Sequence, residues 1–163
     1  FKYQILNPTL LFNREMLILE NNNEFNKGIK ELSNLKENIY NLRKLFDEIE
    51  NDNVKKLLKE IIKISDKIYK EVVVNTNKIY KIEKFNNYYI ITVEKIINKY
   101  IKLTKNKINN SESEAFFSKV EEFLKNVTIS FDNLYQSLFK DEVIDIDAEI
   151  KVMEKNQIIW KKN

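Results

Sequence analysis

A cluster of carboxylates near the C-terminus contains the residues of this chain best suited to chemistry. They are Asp141, Glu142, Asp145, Asp147 and Glu149. Carboxylate oxygens can bind Mg²⁺ or Mn²⁺ without histidine, and a metal held in this way could support phosphoester hydrolysis. However, acidic residues are also favoured in the first turn of a helix, and the cluster lacks the glycine of a calcium-binding loop. The sequence therefore favours helix capping and solvation, with a metal site as the alternative.

The composition excludes the commonest catalytic systems. The 163 residues include no histidine and no cysteine, so a Ser-His-Asp triad, a Cys-His pair and a zinc site made of those ligands are impossible. Gly28 is the only glycine, which excludes a glycine-rich phosphate-binding loop. We therefore assign no catalytic residue and no cofactor, with Mg²⁺ or Mn²⁺ as the alternative. The absence of cysteine also excludes disulfides and is typical of a reducing cytosol.

The charges are balanced and mixed along the chain. Lys and Arg total 28 and Asp and Glu total 25, which leaves a net charge of +3 without a basic tail. Only Arg14 and Arg43 are arginines, and arginine is the better fork for phosphate. We therefore expect no nucleic-acid partner.

The scarcity of glycine and proline predicts long helices with few breaks. Apolar residues recur every three or four positions, which places them on one face of each helix. The third such stripe includes Tyr89, and a capping box of Ser111 with Glu114 predicts the start of the fourth helix. Asp145 is expected to cap a fifth helix that carries Ala148, Val152 and Met153. The predicted helices cover residues 27–50, 54–74, 77–105 and 111–138, with caps expected at 51–53 and 75–77.

The first residues are expected to form a separate short helix. Asn7 and Pro8 are typical of a helix start, and the polar run Glu20–Asn23 predicts a break. This segment is too short and too often interrupted by polar residues to span a membrane. We expect it to dock on the bundle, with membrane-surface or partner binding as the alternative. Its apolar residues are Leu10, Leu11, Met16 and Leu17.

These patterns together predict an all-α fold. The expected architecture is an elongated antiparallel bundle of about four long helices with short terminal helices. Residues 1–23 would form the docked N-terminal segment, and residues 24–163 would form the bundle domain.

Two stretches within residues 84–154 are similar to segments of one known family. Lys84–Thr92, followed by Ile96–Tyr100, is similar to a segment in which Phe and Tyr-Tyr-Leu-Pro-Thr lead into a helix ending in Leu-x-x-Tyr, although Ile91 stands where that segment usually has proline. Phe131–Ile150 is similar to a closing stretch of Phe, Leu, Leu-Phe, an acidic pair and Asp-Ile. On these residues the chain resembles the XpaC-like family, which is named for 5-bromo-4-chloroindolyl phosphate hydrolysis.

The resemblance implies a bacterial helical protein, often with a hydrophobic segment ahead of the bundle and often associated with tellurite or toxic-anion resistance proteins. It brings no catalytic motif that can be transferred residue by residue. We therefore expect a helical interaction or scaffold protein, in the cytoplasm or at the inner face of the membrane, with a protein partner. The alternative is a carboxylate-metal-dependent hydrolase of indolyl phosphates. A third expectation is homo-oligomerisation or membrane-surface binding through residues 1–20.

Overall fold

A computed structural model describes the backbone of residues 8–161 and the side chains of Leu17 and of residues 22–156. This part of the chain is helical, contains no strand and confirms the predicted all-α fold. Its elements are α1 (Pro8–Phe46), α2 (Asp52–Val74), a 3₁₀ segment (Thr76–Ile82), a π turn (Phe85–Tyr89), α3 (Ile90–Lys105), α4 (Ser111–Ser137) and α5 (Lys140–Lys161).

The core lies around α2, which packs on both α1 and α4. The predicted apolar stripes of the first four helical stretches supply it, because side chains three or four positions apart share one helix face. The stretch from the π turn through α3 runs antiparallel to α4: the rings of Phe85 and Phe131 lie 4.7 Å apart, and those of Tyr100 and Phe117 lie 5.6 Å apart. Fully buried side chains include Leu35, Leu42, Leu58, Ile61, Ile68, Ile82, Ile90, Ile97 and Leu124.

The predicted break at Glu20–Asn23 is wrong, because α1 continues through it as one helix of 39 residues. The polar run contains neither proline nor glycine. Its described side chains are exposed, so they remain hydrated when the backbone is helical. Leu17 is 59% exposed. Leu10, Leu11 and Met16, and the expected cap at Asn7, lie outside the described side chains, so docking of this segment stays a prediction.

The helix caps follow the sequence with one shift of register. Asn51 caps α2 as expected, since its side chain accepts a hydrogen bond from the Val54 amide at 3.0 Å. The capping box of α4, however, begins at Asn110 and not at Ser111. The Ser113 amide donates to the Asn110 side chain at 2.8 Å, and the Asn110 amide donates to the Ser113 hydroxyl at 3.0 Å.

The third predicted helix is helical but irregular. It begins with 3₁₀ geometry and passes through the π turn before it becomes regular at Ile90. The Asn75 side chain makes no cap for it and instead donates back to the Glu71 carboxylate at 2.6 Å. Tyr89, predicted to be buried, is 49% exposed, and Ile90 is fully buried. The wider π turn explains this change because it shifts the phase of the helix.

Helix α5 begins earlier than predicted and is longer. It starts at Lys140, so Asp145 lies inside it and does not cap it. Its C-terminal extent also differs from the short terminal helix expected, since it has 22 residues. All side chains of residues 143–156 are exposed. The helix therefore leaves the bundle soon after its first turn.

Candidate functional site

The acidic residues of the predicted cluster lie on different faces of α5 and have different partners. Asp141 pairs with Lys81 at 3.3 Å, whereas Asp147 pairs with Lys151 on its own helix at 2.9 Å. Glu149 is exposed. Within the described residues, no group of three or more acidic side chains is arranged to hold a metal ion. A metal site at these residues therefore stays a prediction.

Glu142 of the same cluster contacts Lys78, a lysine buried beneath the first turn of α5. The Lys78 ammonium also lies 2.8 Å from Glu71 and 4.9 Å from the centre of the Phe139 ring. Burial acts to lower the pKa of Lys78, but its hydrogen bonds to Glu142 and Glu71 outweigh burial and raise the pKa. The same bond from Lys78 lowers the pKa of Glu142. Two glutamates thus stabilise a charged lysine that fixes the start of α5.

A small cavity adjoins this ion-pair network. Its volume is about 400 Å³, and its lining includes Asp145 together with Asp141 and Glu142. Two of these three carboxylates, Asp141 and Glu142, already pair with lysines. Less negative charge is therefore left to bind a metal ion. The lining is completed by Asn77, Lys78, Tyr80 and Lys81.

A larger site lies between α4 and the stretch that runs from the 3₁₀ segment into α3. We call it the aromatic groove. Its volume is about 570 Å³, within the usual range of ligand pockets. Its polar residues are two lysines, a tyrosine hydroxyl, two other hydroxyls and an amide, and its lining includes no carboxylate. The lining residues are Lys81, Lys84, Phe85, Tyr89, Thr92, Val93, Phe123, Asn126, Val127, Ser130, Phe131 and Leu134.

The π turn forms one wall of this groove and is tied to α1 by a buried asparagine. Asn86 is fully buried, and its side-chain amide donates to the Glu31 carbonyl and the Glu31 carboxylate, both at 2.8 Å. Asn38 in turn donates to the carbonyl and side-chain oxygens of Asn86, both at 3.1 Å. These bonds satisfy polar groups that would otherwise be costly to bury beside the irregular backbone.

The groove could not be predicted from helical periodicity. A regular helix would have turned Tyr89 inward, whereas the π turn places Tyr89 at the groove and Ile90 in the core. The available signal was Asn86, a polar residue directly after the buried Phe85 in an otherwise apolar stripe. π turns are frequent at functional sites, which makes this irregular wall a candidate ligand-binding surface.

Comparison with protein families assigns most of the chain to one of them. A family model described as 5-bromo-4-chloroindolyl phosphate hydrolysis protein matches residues 21–153. The chain belongs to this family. The match confirms the resemblance seen over residues 84–154 and extends it through α2 and back to residue 21 in α1. Comparisons with curated proteins and with solved structures give no match.

In this member of the 5-bromo-4-chloroindolyl phosphate hydrolysis family, two helical extensions leave the bundle at one end. We call residues 143–156 the α5 arm, and the part of α1 before Gly28 the α1 arm. Asn77 of the 3₁₀ segment is near both arms, because it lines one cavity with Phe25 and another with Asp145. Phe25 is 67% exposed. None of the described helices is both long and apolar enough to cross a membrane.

The α5 arm presents apolar side chains in two directions. Val143, Ile146, Ile150 and Met153 follow a three-four-three spacing, which is the spacing of a coiled-coil seam. Ile144, Ala148 and Val152 recur every four residues on a different face. Apart from Ala148, these side chains are at least half exposed. The arm therefore offers two apolar stripes that the described bundle leaves uncovered.

Proposed function

We propose that this family member is a helical interaction protein whose α5 arm binds a protein partner. The observation that carries the proposal is the α5 arm itself, where large apolar side chains lie exposed on a well-formed helix. Contiguous exposed apolar surface is unusual on a soluble monomer and commonly marks a binding site. Burying these side chains against a partner would remove apolar surface from water and would contribute favourable hydrophobic free energy to binding.

The partner best suited to the arm is another helical surface. The seam of Val143, Ile146, Ile150 and Met153 has the spacing that packs into the grooves of a neighbouring helix. The second stripe allows the arm to insert between two helices, and the adjacent α1 arm adds Phe25 to the same end. The family resemblance nominates a toxic-anion resistance protein at the inner membrane face as the first partner to test.

Paired isoleucine substitutions test this interaction surface. Ile150 in the arm and Ile129 on α4 are both exposed isoleucines, at 50% and 60%, so Ile129→Asp is a matched control for Ile150→Asp. We expect Ile150→Asp to weaken binding to a purified toxic-anion resistance protein by about tenfold or more, measured by titration calorimetry. Ile129→Asp should leave the affinity within about twofold. Equal affinities for both variants and the unmodified chain would contradict the proposal.

The hydrolase alternative rests on the cavity that is lined by Asp141, Glu142 and Asp145. In this alternative, the carboxylates would release their lysine partners and hold Mg²⁺ or Mn²⁺. The purified chain and its Asp141→Asn/Asp145→Asn double variant, which changes two carboxylates of this cavity, are assayed with 5-bromo-4-chloroindolyl phosphate, with and without each metal. Metal-dependent turnover that is lost in the variant would replace the interaction proposal with an enzymatic one. Equal rates from both proteins would remove this alternative.

A further inference from the structure

We propose that the aromatic groove binds a free fatty acid, with the alkyl chain along its apolar walls and the carboxylate at Lys81 and Lys84. This site is separate from the partner surface, since no residue of the α5 arm lines the groove. Its ligand follows from the charge, shape and chemistry of the groove.

The charge of the groove is concentrated at one end. Lys81 and Lys84 lie at the start of one wall, and the antiparallel arrangement places them beside Leu134 at the far end of the other. The lining contains no Asp or Glu to balance them. Lys81 does contact Asp141 from outside the groove, but at 3.3 Å, and the Asp141 side chain is largely exposed. The Lys81 side chain is 21% exposed, but Asp141 remains in water, so their attraction is screened and a bound anion can compete with it.

The groove is also elongated. On α4 it extends from Phe123 to Leu134, which at 1.5 Å per residue is about 16 Å. The opposite wall extends from Lys81 in the 3₁₀ segment, through the π turn, to Val93 in α3. A linear chain follows such a cleft along its whole length, whereas a compact molecule leaves much of the apolar wall in water. The volume of about 570 Å³ suits a small molecule more than a whole helix.

The groups at the charged end favour a carboxylate over a phosphate. The groove has no arginine, and bidentate arginine forks are the usual means of holding phosphate oxygens. Although Tyr89, Thr92 and Val93 lie where α3 begins, the π turn runs directly into that helix, and the Ile90 amide already donates to the Phe85 carbonyl. Two lysines suit a single negative charge. Tyr89, Thr92 and Ser130 add hydroxyls along the rim.

Dodecanoate and its uncharged counterpart dodecanol test the two halves of the proposal separately. Titration calorimetry below the micellar range should detect one dodecanoate per chain. Lys84→Gln should weaken dodecanoate binding about fivefold and leave dodecanol binding unchanged, because only the carboxylate meets the lysine. Lys125→Gln, an exposed lysine on α4 outside the groove, is the matched control and should change neither affinity.

A second pair of variants tests the position of the chain. Ser130→Phe should fill the groove with a ring and weaken both ligands by more than about tenfold, whereas Ser118→Phe, an exposed serine elsewhere on α4, should weaken neither. Circular dichroism checks that every variant stays folded. The proposal is overturned if dodecanoate does not bind, if Lys84→Gln and Lys125→Gln act alike, or if Ser130→Phe leaves binding intact. None of these results bears on the partner surface, whose test uses Ile150.

Discussion

Replacing Asn86 with leucine should test whether its buried hydrogen bonds hold the π turn. Leucine has a similar size but cannot make the bonds to Glu31 or accept the side-chain bond from Asn38. One lost bond is to a carboxylate, worth about 2 kcal/mol, and two are to neutral groups, worth about 1 kcal/mol each. The expected loss is therefore about 4 kcal/mol, reduced by the gain from burying an apolar side chain to about 3 kcal/mol.

Urea unfolding followed by circular dichroism measures this loss directly. For a chain of this size, about 3 kcal/mol corresponds to a fall in melting temperature of roughly 6 to 12 °C. Asn87→Leu is the matched control, because Asn87 is exposed and reaches Glu31 only at 3.3 and 3.5 Å. It should cost less than about 0.5 kcal/mol. A cost below about 1 kcal/mol for Asn86→Leu would refute the idea that these bonds hold the turn.

Three further outcomes are expected. The lowered pKa of Glu142 stabilises the fold above about pH 4.5, and this contribution is lost as the pH falls through the folded-state pKa, so the melting temperatures of the unmodified chain and Glu142→Gln should converge on acidification. Leu58→Ala should cost about 2 to 5 kcal/mol in urea unfolding, since Leu58 is fully buried, and a smaller cost would mean that the core collapses around the gap. Gly28→Ala should raise stability by about 0.5 kcal/mol, because its helix gain exceeds the adjustment of the Ile79 methyl, 3.2 Å from the new Cβ, and destabilisation would show that Ile79 cannot move.

The sequence predicted the fold well wherever burial follows helical periodicity. Leu35, Leu58 and Ile97 each recur at three- or four-residue spacing with other apolar residues of their helices, and all three are fully buried. The errors occur where polar residues decide the local backbone. The capping box was displaced by one residue because Asn110 competes with Ser111, and both are suitable caps.

The candidate sites were harder to predict for a related reason. The groove depends on a π turn, which is joined to the distant α1 by hydrogen bonds that Asn86 donates to Glu31 and accepts from Asn38. No local spacing encodes such contacts. The pairing of Glu142 with Lys78 likewise joins residues that are distant in the chain, so the carboxylates could be found in the sequence but their partners could not.

The position of Lys81 has a thermodynamic consequence for the two proposed activities. This lysine lines the groove and also contacts Asp141 in the first turn of α5. A carboxylate ligand in the groove and Asp141 would therefore compete for the same ammonium group. If fatty acid and protein partner both bind, their free energies are linked, and each must change the affinity of the other by the same factor. Measuring the partner's affinity with and without dodecanoate would give that factor, and Lys81→Gln should bring it towards one.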